Sequence, residues 1–419
     1  MKNMAVDYSD NIKEKVEARI IGFIIKKERE KKGITASTIA RELQLSKQYF
    51  SEIERGTKNI SYAVIERIMD YLEVKFTFNY HYELMSKFYL FLNYYYERDI
   101  KKGKELLQFI LYNTTHYTFD YPTIILLEYI LSVLKRSKYR LPLEFTRYLR
   151  MELYSPFLYF KGYEFYLNKN YEKSLEYIEQ AILYVQHLHA GIHFIATIYY
   201  LKALVLNDSG NYISSIKYFE KAKKEFMKDY SLYNSLYSNF YQANAYANLG
   251  HLREAVKMYN KLLKEPSMKQ DKKFIILVED SLYTCLLWNE KYDELLAYMN
   301  EYMLCNQYIR KEIYLILSIV YYELGDKKTS MSYFKFIKFE HIENIFIKNL
   351  INIHRYRLQN DKKAYEKALY KCLNQMPNKM RYAKIFIMKH LMKYYEDIKA
   401  YEKAYTYANK VIRMIEYQK

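Results

Sequence analysis

Apolar residues recur at three- and four-residue spacing along most of the chain, the period of one buried helical face, and turn residues punctuate the runs. The sharpest short pattern lies at residues 33–60. Thr35 is a candidate N-cap, and Ile39, Ala40 and Leu43 follow it as one apolar face. The Gln44-Leu45 turn leads to Ser46, which can cap a second helix ending near Arg55-Gly56. Phe50 and Ile53 face inward at i, i+3 spacing, leaving Lys47, Gln48, Tyr49, Ser51 and Glu52 on the outer side. A short helix with donors and acceptors at its N-terminal end is what major-groove reading requires.

From about residue 80 onward, helix follows helix. Breaks at Asn170-Tyr171, Gly210-Asn211-Tyr212, Gly250-His251-Leu252, Lys291-Tyr292, Gly325-Asp326, Asn360-Asp361 and Lys399-Ala400-Tyr401 are separated by steps of roughly 35–41 residues. Steps of that size belong to solenoids of helix pairs. Three breaks are followed by near copies, YEKS at 171–174 and YEKA at 365–368 and 401–404.

Composition narrows the picture. Five Pro and nine Gly in 419 residues disfavour an all-β fold or a long flexible linker. The 52 Tyr against a single Trp favour helix interfaces lined by aromatic bodies with polar tips. Three widely spaced cysteines, Cys285, Cys305 and Cys372, form no disulfide framework, and with no signal peptide at the start the expected home is a reducing cytoplasm. The most apolar run, Ile124–Leu134, is broken by Glu128 and is shorter than the ~18 residues of a membrane span, so no membrane role is expected. Of the formal charge of +18, residues 1–78 carry only +3, from 15 Lys+Arg against 12 Asp+Glu. The charge agrees with a polyanionic partner but does not locate its site.

Catalytic signatures are missing from the sequence. It holds no Walker loop, GxSxG, HExxH or glycine-rich dinucleotide loop. His187, His189 and His193 place one pair at i, i+4, but Gly191 interrupts them and no Cys or carboxylate completes a metal shell. No catalytic residue, metal or cofactor is expected.

Residues 17–76 resemble the Cro/C1 repressor-type (XRE) helix-turn-helix, a compact five-helix domain. The resemblance is carried by Ile21-Gly22 through Arg29, by Gly33-Ile34-Thr35 and by Ile53-Glu54-Arg55-Gly56 with Asn59 after it. Ser61 caps a further helix, Tyr62–Leu72, and Val74 closes the core. The resemblance implies an internal Arg29–Glu54 ion pair that orients the turn. It departs at Ala36, where many members carry a Gln, and at Ile60, in place of a common Pro. The implied DNA contacts are Thr35, Ser46, Lys47, Gln48, Tyr49, Ser51, Arg55, Lys58 and Asn59, with Lys47 and Gln48 reading bases and Arg55, Lys58 and Asn59 holding phosphates.

The later region resembles tetratricopeptide repeats, which need small residues where paired helices approach. Gly162, Ser174 and Ala181 fit best, followed by Ala203, Ser215 and Ala222, then Ala243 and Ala255. Units after Asp271 are degenerate, with Tyr283 and Leu295 in two small-residue places. About nine pairs are expected, the last ending near Tyr417. The expected chain is all-α: an N-terminal extension at 1–16, the reader at 17–76, a linker at 77–82, and a right-handed tetratricopeptide-like α-solenoid at 83–419. Repeat position puts Tyr200, Asn207, Tyr237, Tyr241, Asn244, Asn248, Asp280, Ser281, Thr284, Trp288, Tyr322, His354, Arg357 and Lys393 on a concave peptide-binding face. Asn244, Asn248 and Arg357 are expected there without partners inside the chain.

A Cro/C1-type reader followed by a long repeat array resembles the RRNPP group of peptide-responsive regulators. The implied protein is a cytoplasmic transcription factor and homodimer that binds a double-stranded DNA operator. A short signalling peptide in the concave groove alters its affinity for DNA. The alternative keeps the reader but gives the repeats a protein partner, a response regulator or antirepressor. A further alternative makes the helix-turn-helix a vestigial docking module of a scaffold.

Overall fold

The computed structural model describes residues 15–58, 60–78, 82–114, 117–139, 141, 145–188, 194–268, 270–305, 309–337, 344–376 and 380–416. These residues form helices, with one isolated β-bridge between Phe76 and Tyr117. The chain divides into two compact units, Met1–Leu201 and Lys202–Lys419.

The first unit opens with α1 (Lys15–Lys31), α2 (Ala36–Glu42), α3 (Lys47–Arg55) and α4 (Tyr62–Tyr71). Local chemistry sets the boundaries: Thr35 Oγ1 accepts the Thr38 N–H at 3.1 Å, and Ser46 Oγ accepts the Tyr49 N–H at 3.1 Å. Gly56 ends α3 at φ +59°, a left-handed cap that glycine adopts without a Cβ penalty. Ile21, Ile24, Ile25, Ile39, Phe50, Ile53 and Ile65 are fully buried and form the core. So is Ile60, which gives the missing Pro an apolar replacement. The expected ion pair is present: Arg29 Nε donates to Glu54 Oε1 at 2.6 Å, Nη2 donates to Oε2 at 3.3 Å, and Nη1 donates to the Ile34 carbonyl at 2.8 Å. One side chain therefore ties α1 to the entry of α2 and the end of α3. Four helices fill residues 15–71, and the fifth begins beyond the expected boundary, at Tyr82.

The stretch that follows the reader is held in place. Thr77 N donates to the Tyr117 carbonyl at 2.9 Å, and Tyr117 N donates to the Lys75 carbonyl at 3.0 Å. Tyr62, Phe76, Phe78 and Phe119 form an edge-to-face aromatic cluster around this pairing. Residues 79–81 of the expected linker lie outside the described residues. The rest of the unit runs through α5 (Tyr82–Tyr96), α6 (Ile100–Asn113), α7 (Tyr121–Lys135), α8 (Met151–Leu167) and α9 (Tyr171–Tyr184) into the start of α10 (Phe194–Asp208). Helix α1 packs on residues near the N-terminus of α7: Tyr117 OH donates to the buried Glu28 at 2.5 Å, Lys27 bonds to the Tyr121 hydroxyl, and Phe23 stacks on Tyr148 at 4.8 Å.

The second unit continues with α11 (Tyr212–Lys228), α12 (Leu232–Leu249), α13 (Leu252–Leu263), α14 (Lys272–Trp288), α15 (Tyr292–Cys305), α16 (Lys311–Glu323), α17 (Lys327–Phe334), α18 (Ile345–Leu358), α19 (Lys362–Gln375), α20 (Arg381–Asp397) and α21 (Tyr401–Glu416). Sequence neighbours pack together, and α14 also touches α20, six helices later in the chain. The expected turns at 170, 211, 326 and 361 begin their helices with Asn170, Asn211, Asp326 and Asp361 as side-chain caps. Small residues mark the closest approaches. Ser174 Oγ donates to the Gly162 carbonyl at 2.8 Å, and Ser215 Oγ donates to the Ala203 carbonyl at 2.9 Å. A third such joint falls where degeneracy was expected: Ser330 Oγ donates to the Ser318 carbonyl at 2.6 Å, and Ser318 Oγ returns a bond to the Ser330 carbonyl at 2.7 Å.

The tightest approach in the reader gives a stability test. A Cβ added at Gly22 would stand 2.3 Å from the Ile53 carbonyl oxygen and 2.7 Å from that of Glu54. Both atoms belong to a helix backbone, so α1 and α3 would have to separate. Gly22→Ala should cost on the order of 1–3 kcal/mol, read as a lower midpoint of thermal unfolding. A variant as stable as wild type would show that the two helices part without strain.

Candidate functional site

Two regions carry the residues singled out by sequence. The first is the outer face of α3. Lys47, Gln48, Arg55 and Lys58 are exposed, while Tyr49, Ser51 and Glu52 are half-buried. Glu52 gathers two of them: Gln48 Nε2 donates to Oε1 at 3.3 Å, and Lys58 Nζ lies 3.2 Å from Oε2. Hydrogen bonds from Lys58 and then Gln48 hold the Glu52 carboxyl below its ordinary range. Lys58 also lies over the Tyr49 ring at 5.5 Å. Arg55 Nε donates to the Ser51 carbonyl at 3.2 Å, which keeps its guanidinium close to the helix. The hydroxyls of Thr35 and Ser46 cap their helices, and Asn59 lies outside the described residues. Amide, ammonium and guanidinium groups thus project from one short helix and the turn after it.

The second region is a cavity of about 250 Å³ in the second unit. Its wall is built from the end of α10, the C-terminal halves of α12 and α14, Tyr259 of α13, and the start of α20. Six of the expected groove residues line it: Asn207, Tyr241, Asn244, Asn248, Thr284 and Trp288. Ser281 and Asn289 join them from α14 and the turn after it. Asn244 has a partner inside the chain, because the Tyr259 hydroxyl donates to its Oδ1 at 2.6 Å. Thr284 Oγ1 donates to the Asp280 carbonyl at 2.6 Å. Trp288 is pinned from the far side by Phe386 of α20, with ring centroids 5.1 Å apart. Burial pushes the Cys285 thiol up to about 12, so this lining sulfur stays protonated and is no nucleophile.

The other expected groove residues are not in the cavity wall. Tyr200 belongs to the first unit, where the Arg98 guanidinium lies 4.8 Å from its ring centre. Tyr237 packs between Tyr233 and Phe274, at 5.0 and 4.8 Å. Asp280 receives Arg310 Nη1 at 2.7 Å, and Glu279 receives Nη2 at 3.0 Å.

Arg357 corrects the expectation of an unpaired guanidinium. It forms a two-pronged ion pair with Glu323, with Nη2 3.1 Å from Oε2, and lies 4.2 Å from the Tyr322 ring centre. Burial opposes the Glu323 charge, yet the bonds from Arg357 and the positive charges around it hold the carboxyl below its ordinary value. His390 Nε2 stands 3.6 Å from the same carboxylate, and Lys393 adds positive charge. His354 is buried, with Nε2 2.8 Å from Ser318 Oγ.

Repeat spacing did not point to Asp208, Tyr259 or the α20 residues Met380, Tyr382 and Ala383. Asp208 adjoins the expected Asn207 and was within reach of the sequence pattern. The α20 residues were not, since only the fold brings that helix to α14. Of the histidines weighed for metal binding, His187 ends a short helix with its ring 6.3 Å from that of Tyr184. His189 and His193 lie outside the described residues.

The histidine cluster gives stability a pH dependence. Burial, reinforced by Arg357, depresses His354 to about 3 and His390 to about 4. Both rings are neutral in the folded unit at neutral pH, whereas an unfolded histidine titrates near ~6.5. Below that pH the unfolded chain takes up protons that the folded chain refuses. Stability from these rings is therefore complete above about pH 6.5 and declines as pH falls toward about 4, by up to ~1.4 kcal/mol per pH unit for each ring. Denaturant unfolding of wild type and His354→Gln at about pH 7 and about pH 5 should show a shallower pH dependence in the variant. An unchanged dependence would remove His354 from the linkage.

Residues 25–79 match the helix-turn-helix family model. No curated protein matches the sequence. Among solved structures, the ligand-free quorum sensor NprR from B. thuringiensis is similar at 15% identity and TM-score 0.58, over 80% of this chain and 99% of that one. Ligand-free RapI is similar at 12% identity and TM-score 0.59, over 80% and 97%. NprR in complex with its cognate peptide NprX is similar at 15% identity and TM-score 0.52, over 81% and 99%. At such identities the likeness is one of fold. Among the described residues no helix is long and apolar enough to cross a membrane. The chain joins a helix-turn-helix domain to the helical-repeat fold of NprR and RapI, the architecture that the resemblance to RRNPP regulators implied.

Proposed function

We propose that this protein is a sequence-specific DNA-binding transcriptional regulator of the cytoplasm, controlled by a short peptide held in the asparagine-lined cavity. Residues 17–76 act as the reader, 77–82 as its junction, and 83–419 as the sensing and dimerising region. The observation that carries the reading is the cavity, where Asn207, Asn244, Asn248 and Asn289 converge in a chain that also presents an exposed polar helix-turn-helix face. An amide donates and accepts at once and so matches an extended peptide backbone. The solved complex of NprR with NprX supports the choice of a peptide over other ligands. Control is by linkage: a peptide that prefers one conformation of the protein changes DNA affinity by the factor by which DNA changes peptide affinity.

The DNA arm is tested by binding to operator and random DNA. Gln48→Ala should lose about 1–3 kcal/mol of discrimination, while Lys58→Ala should weaken binding to all sequences and reduce the salt slope by about one. The peptide arm uses calorimetry with peptides encoded at the same locus. Asn248→Ala should weaken binding about ten-fold and leave peptide-free DNA binding intact. If no such peptide changes DNA affinity, the repeats serve a protein partner instead.

The reading includes a second copy of the chain. Helix α21 buries Ala404, Tyr407 and Val411, yet Tyr401, Tyr405, Ile412 and Ile415 are exposed. With Ala408 they step by four and three residues, the spacing of a coiled-coil seam. Glu402 and Arg413 flank that seam at opposite ends, so an antiparallel pair brings each to the other's charge. Two readers on two half-sites supply the specificity that one lacks. Sedimentation of Ile412→Glu should give monomers where wild type gives dimers. A variant that stays dimeric would place the interface elsewhere.

A further inference from the structure

The cavity carries a polarity that the protein as a whole does not. The chain has a formal charge of +18 from 66 Lys+Arg, yet no lysine or arginine lines the cavity, and its wall includes the carboxylate of Asp208. Beside it, Asn207 is 6% exposed, and its Nδ2 donates to Asp208 Oδ1 at 3.4 Å. A carboxylate only accepts hydrogen bonds, so this contact fixes which way the amide is turned. The atom on the other side is Asn207 Oδ1, an acceptor buried without a hydrogen-bond partner among the described residues. A buried acceptor of this kind is unfavourable until a donor reaches it. Tyr241, Trp288 and Tyr382 add aromatic rings to the same wall.

Size limits what can enter. A volume of about 250 Å³ equals the share of roughly eight water molecules at ~30 Å³ each. It holds one or two residues, not a whole peptide.

We infer that the Asn207–Asp208 end of the cavity is an anchor subsite for a basic side chain, with a guanidinium as the best fit. This rests on the reading of the cavity as the peptide site. A guanidinium offers five hydrogens in a planar fork, enough to reach Asn207 Oδ1 and the Asp208 carboxylate together, and its face suits aromatic neighbours. An ammonium meets the charge but not the fork. A carboxylate would leave Asn207 Oδ1 unsatisfied and stand against Asp208. Arg381, next to two lining residues though not one itself, has a buried Nη2 without a partner, a donor suited to a peptide carbonyl.

Trp288, the only tryptophan in the chain, lines this cavity, so its fluorescence reports on occupancy against a background of 52 tyrosines. The full-length protein is titrated with capped alanine hexapeptides that differ at one central position: Arg, Lys, citrulline, Leu or Glu. Citrulline keeps the shape of arginine and removes the charge. The Arg peptide should bind at least about ten-fold tighter than the citrulline peptide, with Lys between them. Asp208→Asn, a conservative change at a half-buried position, should abolish that preference while the citrulline peptide binds as before.

Equal binding of the Arg and citrulline peptides, tightest binding of the Glu peptide, or an Arg preference that survives Asp208→Asn would overturn the subsite. A panel in which no peptide perturbs Trp288 would overturn it as well. The peptide reading is judged separately, by whether a locus-encoded peptide changes DNA affinity. Capped arginine amide that binds as tightly as the Arg hexapeptide would confirm the cation subsite and assign it to a small molecule instead.

Discussion

Three helix pairs depend on a serine hydroxyl that gives its hydrogen to a backbone carbonyl twelve residues earlier: Ser174 to Gly162, Ser215 to Ala203, and Ser330 to Ser318. Such a bond forms only where two helix backbones nearly touch, and only small residues at both places allow that. The three serines are fully buried, so each hydroxyl needs this partner to offset its loss of water. Ala243 and Ala255 make the same approach without a hydroxyl, whereas Tyr283 and Leu295 fill the equivalent places with bulk. The joint fixes how each pair is turned, and therefore which residues of the first helices become core and which reach a cavity.

A polar residue on those helices meets one of two fates. Arg357 finds Glu323, Asp280 finds Arg310, and His354 finds Ser318. Each of these groups is satisfied inside the chain, so a ligand that took one would first have to break a buried or half-buried pair. That loss is large when it leaves a charge unpaired. Around the cavity the pairing is incomplete, most clearly at Asn207 Oδ1. Repeat position nominates candidates for recognition. The separation between self-satisfied and unsatisfied groups selects among them, and it favours the Asn207 end over the Arg357 cluster.

That distinction also explains what was legible beforehand. The reader was legible almost residue by residue, because its determinants are local: caps at Thr35 and Ser46, a left-handed Gly56, and the apolar spacing of Ile39, Phe50 and Ile53. The turns of the repeats were legible for the same reason, through Asn170, Asn211, Asp326 and Asp361 at helix starts. The Ser318–Ser330 joint was hidden by the degenerate unit before it, although its two small residues stand at the same twelve-residue separation. The cavity was legible in part. Its α10, α12 and α14 residues follow from the repeat period, but its α20 wall comes from the packing of α14 against α20, which no local pattern encodes. Arg357 was misread because its partner lies 34 residues away on another helix.

The attachment of the reader sets the terms on which any signal must act. Tyr117 donates to Glu28, Phe23 stacks on Tyr148, and residues 75–77 pair with Tyr117, so α1 and the end of the reader are both fixed to the helices that follow. Glu28 is 5% exposed, and a carboxylate so buried needs the Tyr117 hydroxyl to keep its charge at acceptable cost. The reader is thus a packed part of the first unit and does not swing on a loose tether. A ligand that changes DNA affinity must then either shift the first unit as a body or break this docking face, and the second route exposes Glu28, Phe23 and the Phe76–Phe78–Phe119 cluster to water. The rigid-body route leaves those contacts intact and is favoured on energetic grounds. It also requires that two readers be compared with each other, since moving one rigid reader changes nothing in its own affinity for a half-site. A dimer is therefore more than a source of specificity: with a rigidly docked reader, it is the condition under which a bound peptide can be felt at the DNA.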